Sequence, residues 1–542
     1  MFVRVKKIGA YEYLYLVENA REGGRHVQRV VKVLGRKDEV EATGMLDGLI
    51  ASAARHSRRS IVLSSFYRGE LAELRRVSIG PDMMFGRLWA ETGCRDVLAG
   101  LLAERRFGCD VERAVYLTVL HRLMVSGSDR HASEWRHAFR VPGAEGLDLD
   151  HAYKAMAWLG EVDASGRSTA EAIEEALYRH RQPLLGEVSI AFFDTTTLWF
   201  EGAGGESLGQ RGHSKDYRGH LKQVALGIVL DGEDRPIASF LLPGNTADVT
   251  LLLPVVRRLR ERFGIARTCI VADRGMISAE TIAALEAEQI EYILGARERA
   301  TREVSELVLR DDGVSVPLII PRQKGATELA IKQVSIAGRR YVVCRNEEEA
   351  VKDAAARAEL VAGLERKLAR GDKALIANKG FRRFVKTTTG ERFTIDRAKI
   401  EADARFDGVF VLRTNSRISA LQVVLRYRNL LAVEDTFKTT KALMATRPIF
   451  HKTDAGIRGH VFCTFLALLL RKELMDRLAA RHATGIEWQR ILDDLADLSE
   501  VEVEQDGRRA RLRTAPGPTI DPVCRAIGIT LPPVYQEVPH SN

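Results

Sequence analysis

Apolar and polar positions alternate loosely over Phe2–Ile8, Tyr11–Val17 and His26–Leu34. That pattern predicts three short strands, separated at Gly9 and at Glu22-Gly-Gly. Residues 36–95 mix charge with short apolar runs and predict no firm element. Over 96–182 the apolar spacing becomes helical. Ala114–Met124 predicts an apolar helix, Ser126-Gly-Ser-Asp129 a break with an N-cap candidate, and Arg130–Phe139 a second helix. Two helices across a short Gly-containing turn fit a helix-turn-helix and, more often, any helical hairpin.

From Val188 strands alternate with helices, the pattern of an α/β unit. Strands are expected at Val188–Asp194, Leu221–Leu230, Pro236–Leu242, Thr268–Asp273 and Glu291–Leu294, with helices at Asp248–Phe263 and Ser278–Glu288. Asp248 reads most simply as the N-cap of its helix. The alternation stops over 297–405, where strand-like pieces, a charged helix at Glu347–Arg370 and a hairpin around Thr389-Gly390 look like an insertion. It resumes with a strand at Gly408–Arg413 and an amphipathic helix over Tyr427–Lys441, followed by an apolar helix at 460–481 and a hairpin tail around Asp506-Gly507.

Composition adds a boundary. The 542 residues are too many for one small domain, and their net charge of +9 points weakly to a polyanionic partner. The six cysteines form no C-x-x-C, which argues against a zinc knuckle or a disulfide framework. No signal-peptide core opens the chain, and the longest apolar run, Val461–Leu470, is too short to cross a bilayer. A cytoplasmic protein with no membrane role is expected.

Candidate chemistry centres on the helix expected at 427–441. Seven residues make almost two turns, so Tyr427, Glu434 and Lys441 fall near one line, with Lys438 close to it. Leu430, Val433 and Phe437 form an apolar stripe beside that line. Two further carboxylates each end an apolar strand where α/β sheets place ligands: Asp194, followed by Thr-Thr-Thr, and Asp273, followed by Arg-Gly. On neighbouring strands they would repel one another, and a divalent cation with hard oxygen ligands, Mg²⁺ or Mn²⁺, is the simplest compensation.

The order Asp, Asp and a distant Glu inside Y-x(2)-R-x(3)-E-x(6)-K resembles the DDE transposases of bacterial insertion sequences, most of all family four and its close relatives. Tyr427, Glu434 and Lys441 match the signature, whereas Leu430 stands at its Arg position and Arg428 points to another side of the helix. The resemblance extends to Gly212-His-Ser-Lys-Asp216, Pro243-Gly-Asn-Thr-Ala-Asp248, Val271-Ala-Asp-Arg-Gly275, Phe406-Asp-Gly408 and Arg413-Thr-Asn415, and covers most of 188–475.

The resemblance implies an α/β multi-domain chain. Its core would be an RNase H-like mixed sheet flanked by helices, with an insertion before the last catalytic helix and a small β unit and helical region in front. It implies Asp194, Asp273 and Glu434 as catalytic and metal-binding residues holding two Mg²⁺ or Mn²⁺ ions. Tyr427, Lys438, Lys441, Arg274, His213 and Lys215 are implied as DNA contacts. For Arg274 a plain carboxylate pair is an equal alternative, and for His213 and Lys215 a solvated loop. Some relatives stack an aromatic of the insertion on a flipped base, for which Tyr341, Phe381, Phe384 and Phe393 are available here. His451, Lys452 and His460 read as packing or surface residues rather than metal ligands.

The expected organisation is a basic β-rich region at 1–95 for DNA binding, a helical region at 96–185 for end binding, catalytic core at 186–296, an α+β insertion at 297–405, more core at 406–480, and a tail at 481–542. The implied activity is metal-dependent cleavage of the element's double-stranded ends and joining of their 3′-hydroxyls to target DNA, by a homodimer on the bacterial nucleoid. The alternatives are a nuclease or resolvase of the same fold without strand transfer, and an inactive DNA-binding regulator.

Overall fold

A computed structural model describes residues 1–538 apart from 23–24, 55, 70–72, 186–188, 203, 213, 216–217, 266–267, 297–300, 322–325, 370–382, 389–391, 444–445 and 506–507. The chain divides into two compact units. One comprises Met1–Gly80, Trp488–Cys524 and Ile529–Asn542, the other Pro81–Glu487 with Arg525–Gly528.

The first unit opens with an antiparallel sheet of β1 (Phe2–Ile8), β2 (Tyr11–Glu22) and β3 (Arg25–Arg36). Ile8 pairs with Tyr11 across a two-residue turn, for which Gly9 supplies the positive φ of 62°. Among the described residues of this sheet only Leu14 and Val17 are buried, while Val3, Val5, Val30 and Val33 stay exposed. The expected tail does not stand alone: β4 (Glu73–Ser78) pairs with a strand at Ser499–Gln505 in a four-stranded sheet, over a core of Val62, Val501, Val503, Ala510 and Leu512.

In the second unit, the apolar helix expected at 114–124 runs over Val111–Met124, and every one of its residues is buried. The next helix, Asp129–Trp135, is short, buries Asp129, Ala132 and Trp135, and ends in a 3-10 turn. The main sheet holds β5 (Ile190–Trp199), β6 (Gln223–Leu230), β7 (Pro236–Pro243), β8 (Cys269–Ala272), β9 (Glu291–Gly295), β10 (Val316–Pro321), β11 (Ala326–Ile336), β12 (Arg339–Arg345) and a strand at Val409–Thr414. Its order is β10-β11-β12-(409–414)-β9-β8-β5-β6-β7. The β5–β8 and β8–β9 pairs are parallel and the others antiparallel. One face is covered by the helices Leu252–Phe263 and Ala279–Ala287 through Ala191, Phe193, Ile270, Ala272, Val255 and Leu285.

The 297–405 stretch is joined to this sheet by β10–β12 and is not wholly separate from it. Its remainder, the helix Glu347–Leu368 with the hairpin Val385–Thr388 and Arg392–Ile395, has a small core around Leu364 and Phe384. Among the described residues no helix is long and apolar enough to cross a membrane.

Candidate active site

β5 continues past Asp194 to Trp199, because the three β-branched threonines that follow Asp194 extend the strand. Asp194 therefore lies within the strand, opposite Ile228 of β6, and does not end it. On its other side the parallel pairing with β8 stops at Phe193 and Ala272. The next residues along the chain are Asp194, within β5, and Asp273, just past the end of β8. Phe193 and Ala272 point into the helical core, so both carboxylates turn to the opposite face.

Burial pushes the Asp194 carboxyl above its ordinary range against the pull of Lys215 and the Thr195 amide, and the charges of Asp273 and Asp248 add to the rise. The Thr195 N–H donates to Oδ1 of Asp194 at 2.7 Å. Asp273 accepts from the Tyr427 hydroxyl at 3.1 Å. Burial and the nearby Asp273 carboxylate hold the Tyr427 phenol in its protonated, donating form by raising its pKa far above the usual value. Gly295 at the end of β9 makes this contact possible, since a Cβ there would stand 2.6 Å from the phenol oxygen.

Asp248 belongs to the site as well. It does not cap the helix, which begins at Leu252 after a 3-10 turn at Asp248–Thr250. Its Oδ1 accepts from Thr195 Oγ1 at 2.9 Å. Lys215 Nζ donates to the Thr195 carbonyl at 2.7 Å and to Thr195 Oγ1 at 2.8 Å, and stands 3.6 Å from both Asp194 Oδ1 and Asp248 Oδ2. Thr195, Lys215 and Asp248, with Thr197, Thr246 and Gly275, line a cavity of about 220 Å³. Asp194 and Asp248 share the Lys215 ammonium, and the Asp273 charge reaches Asp194; hard oxygen donors of this kind fit a divalent cation.

The 427–441 stretch is not one helix. A helix at Ala420–Arg428 ends just after Tyr427, and a second at Leu431–Lys438 carries Glu434. Between them, Asn429, Leu430, Ala432 and Val433 all donate to the carbonyl three residues back. Such tight turns advance about 120° per residue instead of about 100°, so Glu434 is rotated off the line of Tyr427. Leu430, 8% exposed, packs inward at this break. The Glu434 helix packs on β5 and β6 through buried Val433 and Phe437, and Glu434 itself is exposed. Among the described residues, Asp194, Asp273 and Glu434 do not bring three ligand atoms within 4.8 Å of one another.

Lys438 is on the surface and pairs with Asp435 at 2.9 Å. Lys441 lies beyond it in a π-helical turn, Thr439–Leu443. Arg274 is exposed in the 3-10 turn after Asp273, near enough to Tyr427 to act on its phenol. His213 lies outside the described residues. Of the insertion aromatics, Tyr341 and Phe384 are buried, Phe393 is half-buried and Phe381 is outside the described residues. Sequence reasoning misses Gly295 and the role of Asp248. The glycine has no signal short of knowing that Tyr427 crosses β9, whereas Asp248 sits in the quoted Asn-Thr-Ala-Asp motif.

Ligand-type atoms of Asp129, His451 and His460 do lie within 4.8 Å of one another. There His460 Nδ1 meets Arg122 Nη2 at 2.7 Å, and its Nε2 lies 3.2 Å from the Thr446 carbonyl. With Nδ1 accepting from the guanidinium and Nε2 donating to the carbonyl, the imidazole has no lone pair left for a metal. In this cluster Asp129 and His460 are buried and His451 is half-buried.

The site is thus a group of carboxylates on the central strands of a mixed α/β sheet. A family model described as the transposase DDE domain matches residues 189–470, 282 of the 542, and the chain belongs to that family; it is a DNA transposase of the DDE insertion-sequence type. Residues 3–65 match a model described as the IS1634 family transposase N-terminal domain. No curated protein matches the chain. Among solved structures, a piggyBac transposase synaptic complex with hairpin DNA is 12% identical with a TM-score of 0.33, covering 77% of this chain and 79% of that one. A Mos1 transposase paired-end complex with the left transposon end is 14% identical with a TM-score of 0.15, covering 35% of this chain and 61% of that one.

Proposed function

We propose that β7-β6-β5-β8-β9 is an RNase H-like core and that Asp194, Asp273 and Glu434 hold two Mg²⁺ or Mn²⁺ ions, as in family-four insertion-sequence transposases. The observation that carries this reading is the register that makes Asp194 and Asp273 neighbours across the β5–β8 pair. Their shared negative charge supports cation binding. Bound there, divalent ions supply Lewis acidity to the attacking and leaving oxygens of a phosphodiester.

The chain's own groups do the rest. Tyr427 fixes the Asp273 carboxylate by its hydrogen bond. On this reading Glu434, exposed on its own helix, approaches the aspartates when DNA and metal arrive. Arg274, Lys438, Lys441 and His213 hold backbone phosphates of the element's end. No covalent protein intermediate is needed: water is the first nucleophile and a DNA 3′-hydroxyl the second.

The 1–95 and 96–185 regions bind the duplex ends, and the protein works as a homodimer on DNA. Support in the helical region comes from Arg105, Arg106 and Lys154 beside Phe107 and Trp158, around a cavity of about 620 Å³ that also holds Glu104 and Glu161.

The test uses the full chain, element-end DNA and Mg²⁺. Wild type should cleave the end and join it to a target plasmid. Glu434→Gln should lose at least about 10³-fold in cleavage while keeping its fold. Cleavage by Glu434→Gln at the wild-type rate would remove Glu434 from the site, and cleavage without joining would favour a nuclease.

A further inference from the structure

We propose that Asp248 is a positioning residue that draws Lys215 off Asp194 when a divalent cation binds. The inference rests on the metal-binding reading of Asp194 given above.

An ammonium has three protons to donate. Two of those of Lys215 go to Thr195, to its carbonyl at 2.7 Å and its Oγ1 at 2.8 Å. The third has two claimants at the same distance, 3.6 Å: Oδ1 of Asp194 and Oδ2 of Asp248. Neither is a full hydrogen bond at that length, so the ammonium is anchored on Thr195 and shared between the carboxylates.

The polarity of the chain of contacts is consistent. Thr195 Oγ1 gives its single proton to Asp248 Oδ1 at 2.9 Å and keeps a lone pair for Lys215. That bond holds the Asp248 carboxylate with Oδ2 turned toward the ammonium. All of this lies beside a cavity of about 220 Å³, which leaves room for the lysine to shift without repacking the sheet.

With the cation absent, Lys215 neutralises Asp194 in its place. A cation arriving at Asp194 meets a positive charge 3.6 Å from its ligand atom. Asp248 offers the lysine an equal destination on the same anchor, so the exchange is not opposed by loss of an ion pair. Without Asp248 the third proton has only Asp194, and lysine and metal compete for one carboxylate.

The experiment is a double-mutant cycle on the full chain without DNA, read as Mn²⁺ affinity by calorimetry or electron paramagnetic resonance. Asp248→Asn preserves the acceptor for Thr195 and removes only the charge. It should weaken Mn²⁺ binding about tenfold. In a Lys215→Met background the same change should cost less than about twofold, because the competitor is gone. Equal losses in both backgrounds would overturn the proposal in favour of a simple field effect, and so would no loss in the wild-type background. Asp194→Asn separates the two readings. If it leaves Mn²⁺ binding intact, the metal site itself is misplaced and the inference falls with it; if only the Asp248 arm fails, the metal site stands.

Discussion

The Tyr427 phenol reaches Asp273 Oδ1 at 3.1 Å by passing over the bare Cα of Gly295. Three segments remote in sequence meet in that contact: the end of β8, the end of β9 and the last turn of the Ala420–Arg428 helix.

Gly295→Ala therefore displaces the phenol. The added methyl would stand 2.6 Å from the phenol oxygen and 3.2 Å from the Arg274 backbone nitrogen. Moving a group beside a reacting centre by about 1 Å can cost about 10²-fold in rate, and a loss of about 10- to 100-fold in end cleavage is expected. Tyr427→Phe, which keeps the ring and removes one hydrogen bond, should lose less. Single-turnover cleavage of end DNA measures both, and a Gly295→Ala variant as active as wild type would show that the contact is dispensable.

Asp194→Asn should raise thermal stability at neutral pH in the absence of divalent metal. The folded protein raises the Asp194 pKa, so it favours the neutral acid and the ionised form costs stability. That cost is present above the folded pKa and vanishes as pH falls below the unfolded value. The melting advantage of the Asn variant should accordingly shrink toward zero as the buffer is acidified. Added Mg²⁺ should reverse the ranking, because it stabilises wild type alone. A variant less stable than wild type at neutral pH without metal contradicts the charge balance described for the site.

Restoring the family's arginine by Leu430→Arg should harm the protein. The residue is 8% exposed and stands at the break between two helices, so the substitution buries a charge without a partner. A loss of about 2–4 kcal/mol is expected, read from urea unfolding of the full chain. An unchanged midpoint together with stronger binding to end DNA would mean that the arginine finds phosphate and that Leu430 is not needed for packing.

Much of the core sheet is legible in the chain. The strands of 188–294 and their helices follow from apolar runs and turn residues, because β6, β8 and β9 are short apolar segments buried along almost their whole length. The extra length of β5 escapes that pattern because its threonines are polar, although their branched side chains favour a strand. The 427–441 stretch resembles one helix because its apolar spacing is helical. Only packing of Leu430 shows where the rod breaks. The pairing of residues 73–78 with 499–505 has no local signal, since both segments are short and rich in charge.

From sequence alone came the chemistry: two aspartates near strand ends, a glutamate with basic neighbours, and a spacing that resembles one family. Those features are local, carried by residue type and interval. The tertiary structure decided which of them meet. It set Asp194 beside Asp273 through a parallel pairing of strands far apart in the chain, added Asp248 and Lys215 to their charge balance, and left Glu434 exposed on a separate helix. Register and helix phase depend on burial across distant segments, and no interval within the chain encodes them.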